Sequence, residues 1–378
     1  MTCFRMFVGV TLAAIFFVGV QAQAADSPTH AKAIAEFHAQ ITDHFKAWDT
    51  NADGELSKTE VDSAIADGKN TGKTAAAIAT LRQVQRGKKF TAPALTKENL
   101  AKMFNSPAAG QPDLGAMYSG NLARLEKIGK RDIFPDGLPK LDTVHQGKLG
   151  NCFCLAPLGA MVNRNPKQVV DLFVPQKDGS YCVTFGAHKV TIAPPTDAEL
   201  ILTSSNESAG LWVNLYEKAV GEALNQSKPA EKRDGSTLDT LTRGGSAGTM
   251  LSFITGHEII RFSCKFAKEE KTTTEEHEAK LKELRKLLAA AQSEKRLMTC
   301  GTTKPTTPGL TPNHAYAVLG YDEKTDAIRV WNPHGGAFTP KGKFGLENGY
   351  PMKDGIFMIP VSDFVKQFAG LAFEVLKS

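Results

Sequence analysis

Along the N-terminal part of the chain the apolar positions fall at helical intervals. Ala33, Phe37, Ile41 and Phe45 recur every four residues, which predicts a helix over 28–48 with one buried face. Farther on the period changes. The stretch "YCVTFGAHKVTI" (181–192) alternates apolar and polar residues about a glycine-containing turn and predicts a β-hairpin. "LWVNLYEKAVGEAL" (211–224) returns to a helical period. Residues 274–297 form a Lys/Glu-rich helical pattern with Leu281, Leu284 and Leu288 on one face, its charges a solvated surface. "AYAVLGYDEKTDAIRVWNP" (315–333) predicts two strands about a polar turn. A chain that is helical in the middle and strand-rich towards its C-terminus fits an α+β arrangement in two lobes.

Between the first helix and its successor stands "DTNADGELSKTE" (49–60). Oxygen-bearing side chains occupy loop positions 1, 3 and 5 (Asp49, Asn51, Asp53), with Gly54 at position 6. Glu55 lends a carbonyl at 7, Ser57 stands at 9 and Glu60 closes at 12. This is the EF-hand spacing. A hard calcium ion wants six or seven oxygens, the glycine allows the sharp turn, and the last glutamate binds through both oxygens. A degenerate partner over 88–99 is suggested by the echo of "LSKTEV" in "LTKENL". It places Lys88, Phe90 and Ala92 at the ligand positions, so it holds no calcium and serves as a packing partner. The expectation is a small all-α module over 26–105, one calcium per chain, and a Gly/Pro/Ser-rich linker over 106–127.

Composition narrows the function. The chain has 378 residues and a net charge of +5. Its start reads as a secretory leader: Arg5, an apolar run from Phe7 to Val20, then Ala22-Gln23-Ala24 as a cleavage site, giving a leader over 1–24. The run is too short to cross a bilayer comfortably, and no later one is long enough, so no membrane span is expected after cleavage. Arg5 is the leader's only charge, so cleavage leaves +4, no footprint for nucleic acid. Cys3 leaves with it. If one remaining cysteine is a free thiol, Cys154, Cys182, Cys264 and Cys300 allow two disulfides at most, in a connectivity that spacing does not set. A chain this long also holds together with all of them reduced.

One of those cysteines stands apart. In "QGKLGNCFCLAPLGAMVNRNP" (146–166) a glycine-bounded polar loop ends at Cys152 and a helical apolar run begins. A thiol at a helix start gains thiolate character from the helix dipole. Such a nucleophile needs an imidazole, and the imidazole needs an orienting group. His314 sits where the loop "GLTPN" enters the strand-like "AYAVLGY", and Asn332 ends the next strand in "VWNPHGG". Two adjacent antiparallel strands bring His314 and Asn332 side by side.

These motifs, "QGKLGNCFCLA", "GLTPNHAYAVLGYD" and "VWNPHG", resemble the calpain-type cysteine proteases. So do "LWVNLYEKAV", "RGGSAGTMLSFITG" and "RLMTCG". The resemblance implies a papain-like core in two lobes, 128–257 with the cysteine and 258–378 with the histidine and asparagine. It also implies roles: Cys152 as nucleophile, His314 as general base and then acid, Asn332 as orienter, and Gln146 as side-chain donor to the oxyanion. The implied function is an exported (secreted or periplasmic) endopeptidase that cuts protein or peptide substrates through a Cys152 thioester. Departures from the family are Asn151 for an aspartate, Phe153 for a tryptophan, Cys154 for an aliphatic residue, Pro157 inside the helix and His334 for a covering tryptophan. Pro157 predicts a kink or a short first segment, and His334 weaker shielding of the His314–Asn332 pair. A transglutaminase-like acyl transferase would normally carry an aspartate in place of Asn332. The rival from another class is a calcium-binding interaction protein on an impaired protease fold.

Overall fold

The computed structural model describes residues 28–87, 91–105, 110–129, 131–204 and 209–376. The leader, Lys88 and Phe90 of the second loop, and residues 106–109 of the expected linker lie outside the described residues.

Helix α1 (Pro28–Trp48) buries the stripe Ala33, Phe37, Ile41, Phe45 and Trp48, as its four-residue period requires. A loop leads to α2 (Lys58–Ala66), which starts with a capping box between Ser57 and Glu60. Then come α3 (Gly72–Gln85) and α4 (Lys97–Asn105). The two helix–loop–helix units meet loop to loop: Leu56 N–H donates to the Leu95 carbonyl at 3.1 Å, and Glu55 bridges Thr96 in antiparallel fashion.

The expected linker is in large part a helix, α5 (Leu114–Glu126). Asp113 caps it by accepting from Ala116 N–H at 2.9 Å. Leu114, Tyr118 and Leu125 turn inward at helical spacing, and the Tyr118 ring stacks on Phe37 with centroids 5.4 Å apart. Gly, Pro and Ser recur in this stretch, but the buried apolar spacing decides its conformation.

The middle of the chain runs α6 (Cys152–Arg164), α7 (Pro166–Asp171), strands β1 (Phe173–Pro175), β2 (Tyr181–Phe185) and β3 (His188–Ile192), then α8 (Asp197–Leu202), α9 (Trp212–Gln226), α10 (Thr237–Thr242) and α11 (Ala247–Thr255). β1–β2–β3 form a small antiparallel sheet. Helix α6 runs through Pro157 without interruption, contrary to the expected short first segment. It is buried from Phe153 to Val162, so surrounding contacts offset the bond that proline removes.

The C-terminal lobe holds β4 (Glu258–Ser263), α12 (Thr274–Ser293), β5 (Met298–Thr302), β6 (Ala315–Asp322), β7 (Ala327–Trp331), β8 (Ile356–Pro360), α13 (Val361–Gln367) and β9 (Phe368–Val375). Its antiparallel sheet has the order β4-β9-β5-β6-β7-β8. The lobes meet where α6 lies on β6. A Cβ at Gly159 would fall 2.4 Å from the Trp331 ring, so only glycine lets helix and sheet approach this closely.

The N-terminal helices are not a free appendage. One buried apolar cluster runs from Ala33 through Ala76 and Leu200 to Trp331. Arg82, 2 % exposed, binds Asp62 at 2.7 Å and reaches across to Asp239 on α10 at 2.5 Å. Arg86 joins at 2.7 Å and Lys58 also contacts Asp239. Burial pushes the Asp239 carboxyl up, but hydrogen bonds from Lys58 and Arg86 and the charges of Arg82 and Arg86 outweigh it and hold it below its usual value. Thr196 donates to the Ile65 carbonyl at 2.6 Å, and Asp197 accepts from Gly72 N–H at 2.8 Å.

Candidate active site

Cys152 is the first residue of α6. Two glycines shape the loop before it. Gly150 adopts φ +72°, a left-handed conformation that disfavours a side chain, and a Cβ at Gly147 would lie 2.5 Å from the Thr203 carbonyl oxygen. Asn151 makes no side-chain cap to the helix. Its amide instead donates to Glu217 on α9, a fully buried carboxyl that also accepts from Ser204 N–H at 2.8 Å and from the Ser204 hydroxyl. Ser204 Oγ in turn accepts from Gly147 N–H at 3.2 Å. Burial raises the Glu217 pKa, opposed by these hydrogen bonds and the charge of Arg124. Glu217 thus underpins the whole 146–152 loop. Its role was hidden in the sequence, where the only signal was a charge within the apolar period of "LWVNLYEKAV".

His314 and Asn332 come together as the paired strands require. β6 and β7 are antiparallel, with Ala317 opposite Trp331, and His314 Nε2 lies 2.8 Å from Asn332 Oδ1. Both side chains are buried. With Nε2 engaged, Nδ1 is the ring nitrogen left for other chemistry. His334 stands over the pair rather than leaving it open: its ring stacks on His314 with centroids 4.2 Å apart, and its backbone N–H donates to Asn332 Oδ1 at 3.0 Å. The weaker shielding expected from this substitution does not follow.

Cys152 and His314 line one cavity of about 430 Å³ between the lobes, with Gly245 and Ser246 on one wall and Gly301 and Gly370 on the other. Burial pushes the Cys152 thiol up, against the opposing N–H groups of Ala315, Phe153 and Cys152 itself. Burial, then the neighbouring His334, lowers the His314 imidazole to about 4, although the bond to Asn332 works the other way. Desolvation therefore opposes the helix start at Cys152 and favours the neutral form of both side chains.

Gln146 does not line this cavity. Its backbone N–H donates to the Pro333 carbonyl at 2.8 Å, which ties its loop to the turn after Asn332, and its side-chain Oε1 is buried without a partner. Cys154 is buried inside α6, its pKa raised by burial; it, Cys182, Cys264 and Cys300 are all free thiols.

In the 49–60 loop the carboxylates organise the backbone. Asp49 accepts from Asp53 and Gly54 N–H at 3.2 and 3.0 Å, and Asn51 accepts from Asp53 N–H at 3.0 Å. Glu60 accepts from Thr50 and Ser57 N–H at 2.8 and 2.9 Å, and hydrogen bonds from Ser57 hold its pKa at about 2. Gly54 turns at φ +83° with nothing near the place of a Cβ. Among the described residues no three His, Cys, Asp or Glu side chains are gathered as a ready metal cluster. The donors are nonetheless all hard oxygens in one short turn, a set that fits a calcium ion.

A thiol heading a buried helix, with a His–Asn pair from a second lobe in the same cavity, is the constellation of the cysteine peptidases. A model of the calpain family cysteine proteases matches residues 121–373, and the chain belongs to that family. Among curated proteins, none matches the chain.

Proposed function

We propose that the chain is an exported endopeptidase in which Cys152 attacks the scissile carbonyl. The observation that carries this reading is the His314 Nε2–Asn332 Oδ1 bond of 2.8 Å, with His314 and Cys152 on the wall of one cavity. The thiol proton passes to His314 Nδ1 as sulfur bonds to carbon. Negative charge gathers on the former carbonyl oxygen, where the Cys152 N–H donates; the Gln146 amide, outside the cavity as its loop now stands, would join it only by turning its side chain into the cleft. Fixed donors there are worth on the order of 10²–10³ in rate. The intermediate collapses as His314 returns the proton to the leaving amine, giving a thioester. Water, deprotonated by the same ring, then releases the acid and restores the thiol. Asn332 holds the ring for both transfers. His314 therefore acts with Asn332 and under His334, a covered pair.

In the same reading the N-terminal helices are an EF-hand pair. Asp49, Asn51, Asp53, the Glu55 carbonyl, Ser57 and Glu60 would hold one calcium, and the loop beginning at Lys88 would hold none. The continuous core and the Arg82–Asp239 contact favour calcium as a stabiliser of the entire first lobe. The apolar run before Ala24 supports export.

A second reading, a calcium-binding interaction protein on an impaired protease fold, is favoured by the burial that raises the Cys152 thiol and lowers the His314 imidazole. Turnover of unfolded casein separates the two. The purified chain should degrade it and Cys152→Ala should not; equal, negligible turnover by both would favour the second reading.

A further inference from the structure

We propose that the cleft selects a substrate carrying an acidic side chain near the scissile bond, and that Arg261 is the residue that selects it. The proposal rests on the peptidase reading above. Arg261 sits on the edge strand β4 opposite Ala372 of β9 and lines the cavity that holds Cys152 and His314. Among the described residues it is the only Lys, Arg, Asp or Glu on that wall. No carboxylate pairs with it among the described residues. Its Nη1 donates to Ser246 Oγ at 3.3 Å and its Nη2 to Thr249 Oγ1 at 2.9 Å.

Both acceptors are neutral hydroxyls, and one of them is shared. Ser246 Oγ also caps α11 by accepting from Thr249 N–H, at a long 3.4 Å. One hydroxyl thus serves a guanidinium and a helix start, both at stretched distances. The guanidinium lies against the first turn of α11 because residue 248 is glycine: a Cβ there would stand 2.5 Å from Nη1. A planar cation held in place, without a counter-charge, is a ready partner for a carboxylate, whose bonds to guanidinium are shorter and stronger than those of a hydroxyl. A peptide lying along the cavity from Cys152 passes this group within a few residues of the bond being cut. Glutamate or aspartate there gains a charge-assisted bond, and lysine meets repulsion.

The test uses quenched-fluorescent peptides in which Glu or its isostere Gln is placed in turn at each position on both sides of the cleaved bond. At one position the intact chain should show kcat/KM for Glu on the order of tenfold above Gln. That ratio should shrink as salt rises, a readout that needs no variant. It should fall to about one in Arg261→Gln, survive in part in Arg261→Lys, and turn to a preference for Lys over Glu in Arg261→Glu. Equal cleavage of the Glu and Gln peptides at every position, or a Glu preference unchanged in Arg261→Gln, overturns the proposal. Failure to cut any peptide or casein strikes instead at the peptidase reading, and the proposal falls with it.

Discussion

The backbone N–H of Gln146 donates to the carbonyl of Pro333 at 2.8 Å, so the loop that ends in Cys152 is joined directly to the turn that follows Asn332. His145 reinforces the seam, with Nδ1 3.4 Å from the His334 carbonyl oxygen. The two halves of the site are therefore registered by backbone rather than by long side chains. Glu217 fixes the same loop from beneath. Glu217→Ala should remove the acceptor of Asn151 and Ser204, leave buried donors unpaired, and cost about 1–3 kcal/mol of stability. kcat should fall further than a change in KM accounts for, while Glu217→Gln, which keeps one acceptor, should retain more of it. Steady-state kinetics of the two variants check this.

Acid should destabilise the chain through His314. Its ring stays neutral in the folded state down to about pH 4, whereas an unfolded histidine takes up its proton near 6.5. Between those values the unfolded chain binds the extra proton, so stability falls as pH drops from about 6.5 to about 4 and this contribution levels off below. Urea midpoints across that window should decline in the intact chain and decline less in His314→Ala. The acid limb of kcat/KM should lie below the range of an ordinary histidine.

Glu60 titrates lower still. With its folded pKa at about 2 against an ordinary 4.5, its contribution is present above about pH 4.5 and lost as pH falls towards 2. At neutral pH calcium should raise the melting temperature of the intact chain by several degrees through binding to the folded state alone. Glu60→Gln should abolish that rise. Calorimetry with and without chelator measures it; an equal rise in the variant would move the ion elsewhere.

The N-terminal helices should be indispensable to the fold. Asp239→Ala would strand Arg82 and Arg86 beside each other with only Asp62 to balance them, a loss of about 3–5 kcal/mol typical of a broken buried pair. A chain starting near Ile133 should for the same reason, and for loss of the shared apolar core, fail to give a cooperative melt. A soluble, cooperatively melting fragment would contradict this.

Much of this was legible in the sequence because it is local. The i+4 stripe of α1, the alternation of β2 and β3, and the cysteine, histidine and asparagine in their motifs all depend on near neighbours. What escaped depends on residues far apart. Asp239 meets Arg82 across 157 positions, and without that contact residues 106–127 read as a linker between separate units. The desolvation of Cys152 and His314 escaped for a related reason: the spacing identifies the partners, but their burial follows from two lobes closing over them.

The central claim, that Cys152 is the nucleophile and His314 its base, is tested most directly by a peptidyl epoxide followed by mass spectrometry of the intact chain and its fragments. With burial raising its pKa, the thiol should react slowly with small alkylating agents but rapidly with an electrophile that docks in the cleft. The account predicts one adduct per chain, on Cys152, with labelling strongly slowed in His314→Ala and less so in Asn332→Ala. Adducts on the half-buried Cys182, or labelling of Cys152 at the same rate in His314→Ala, would contradict it.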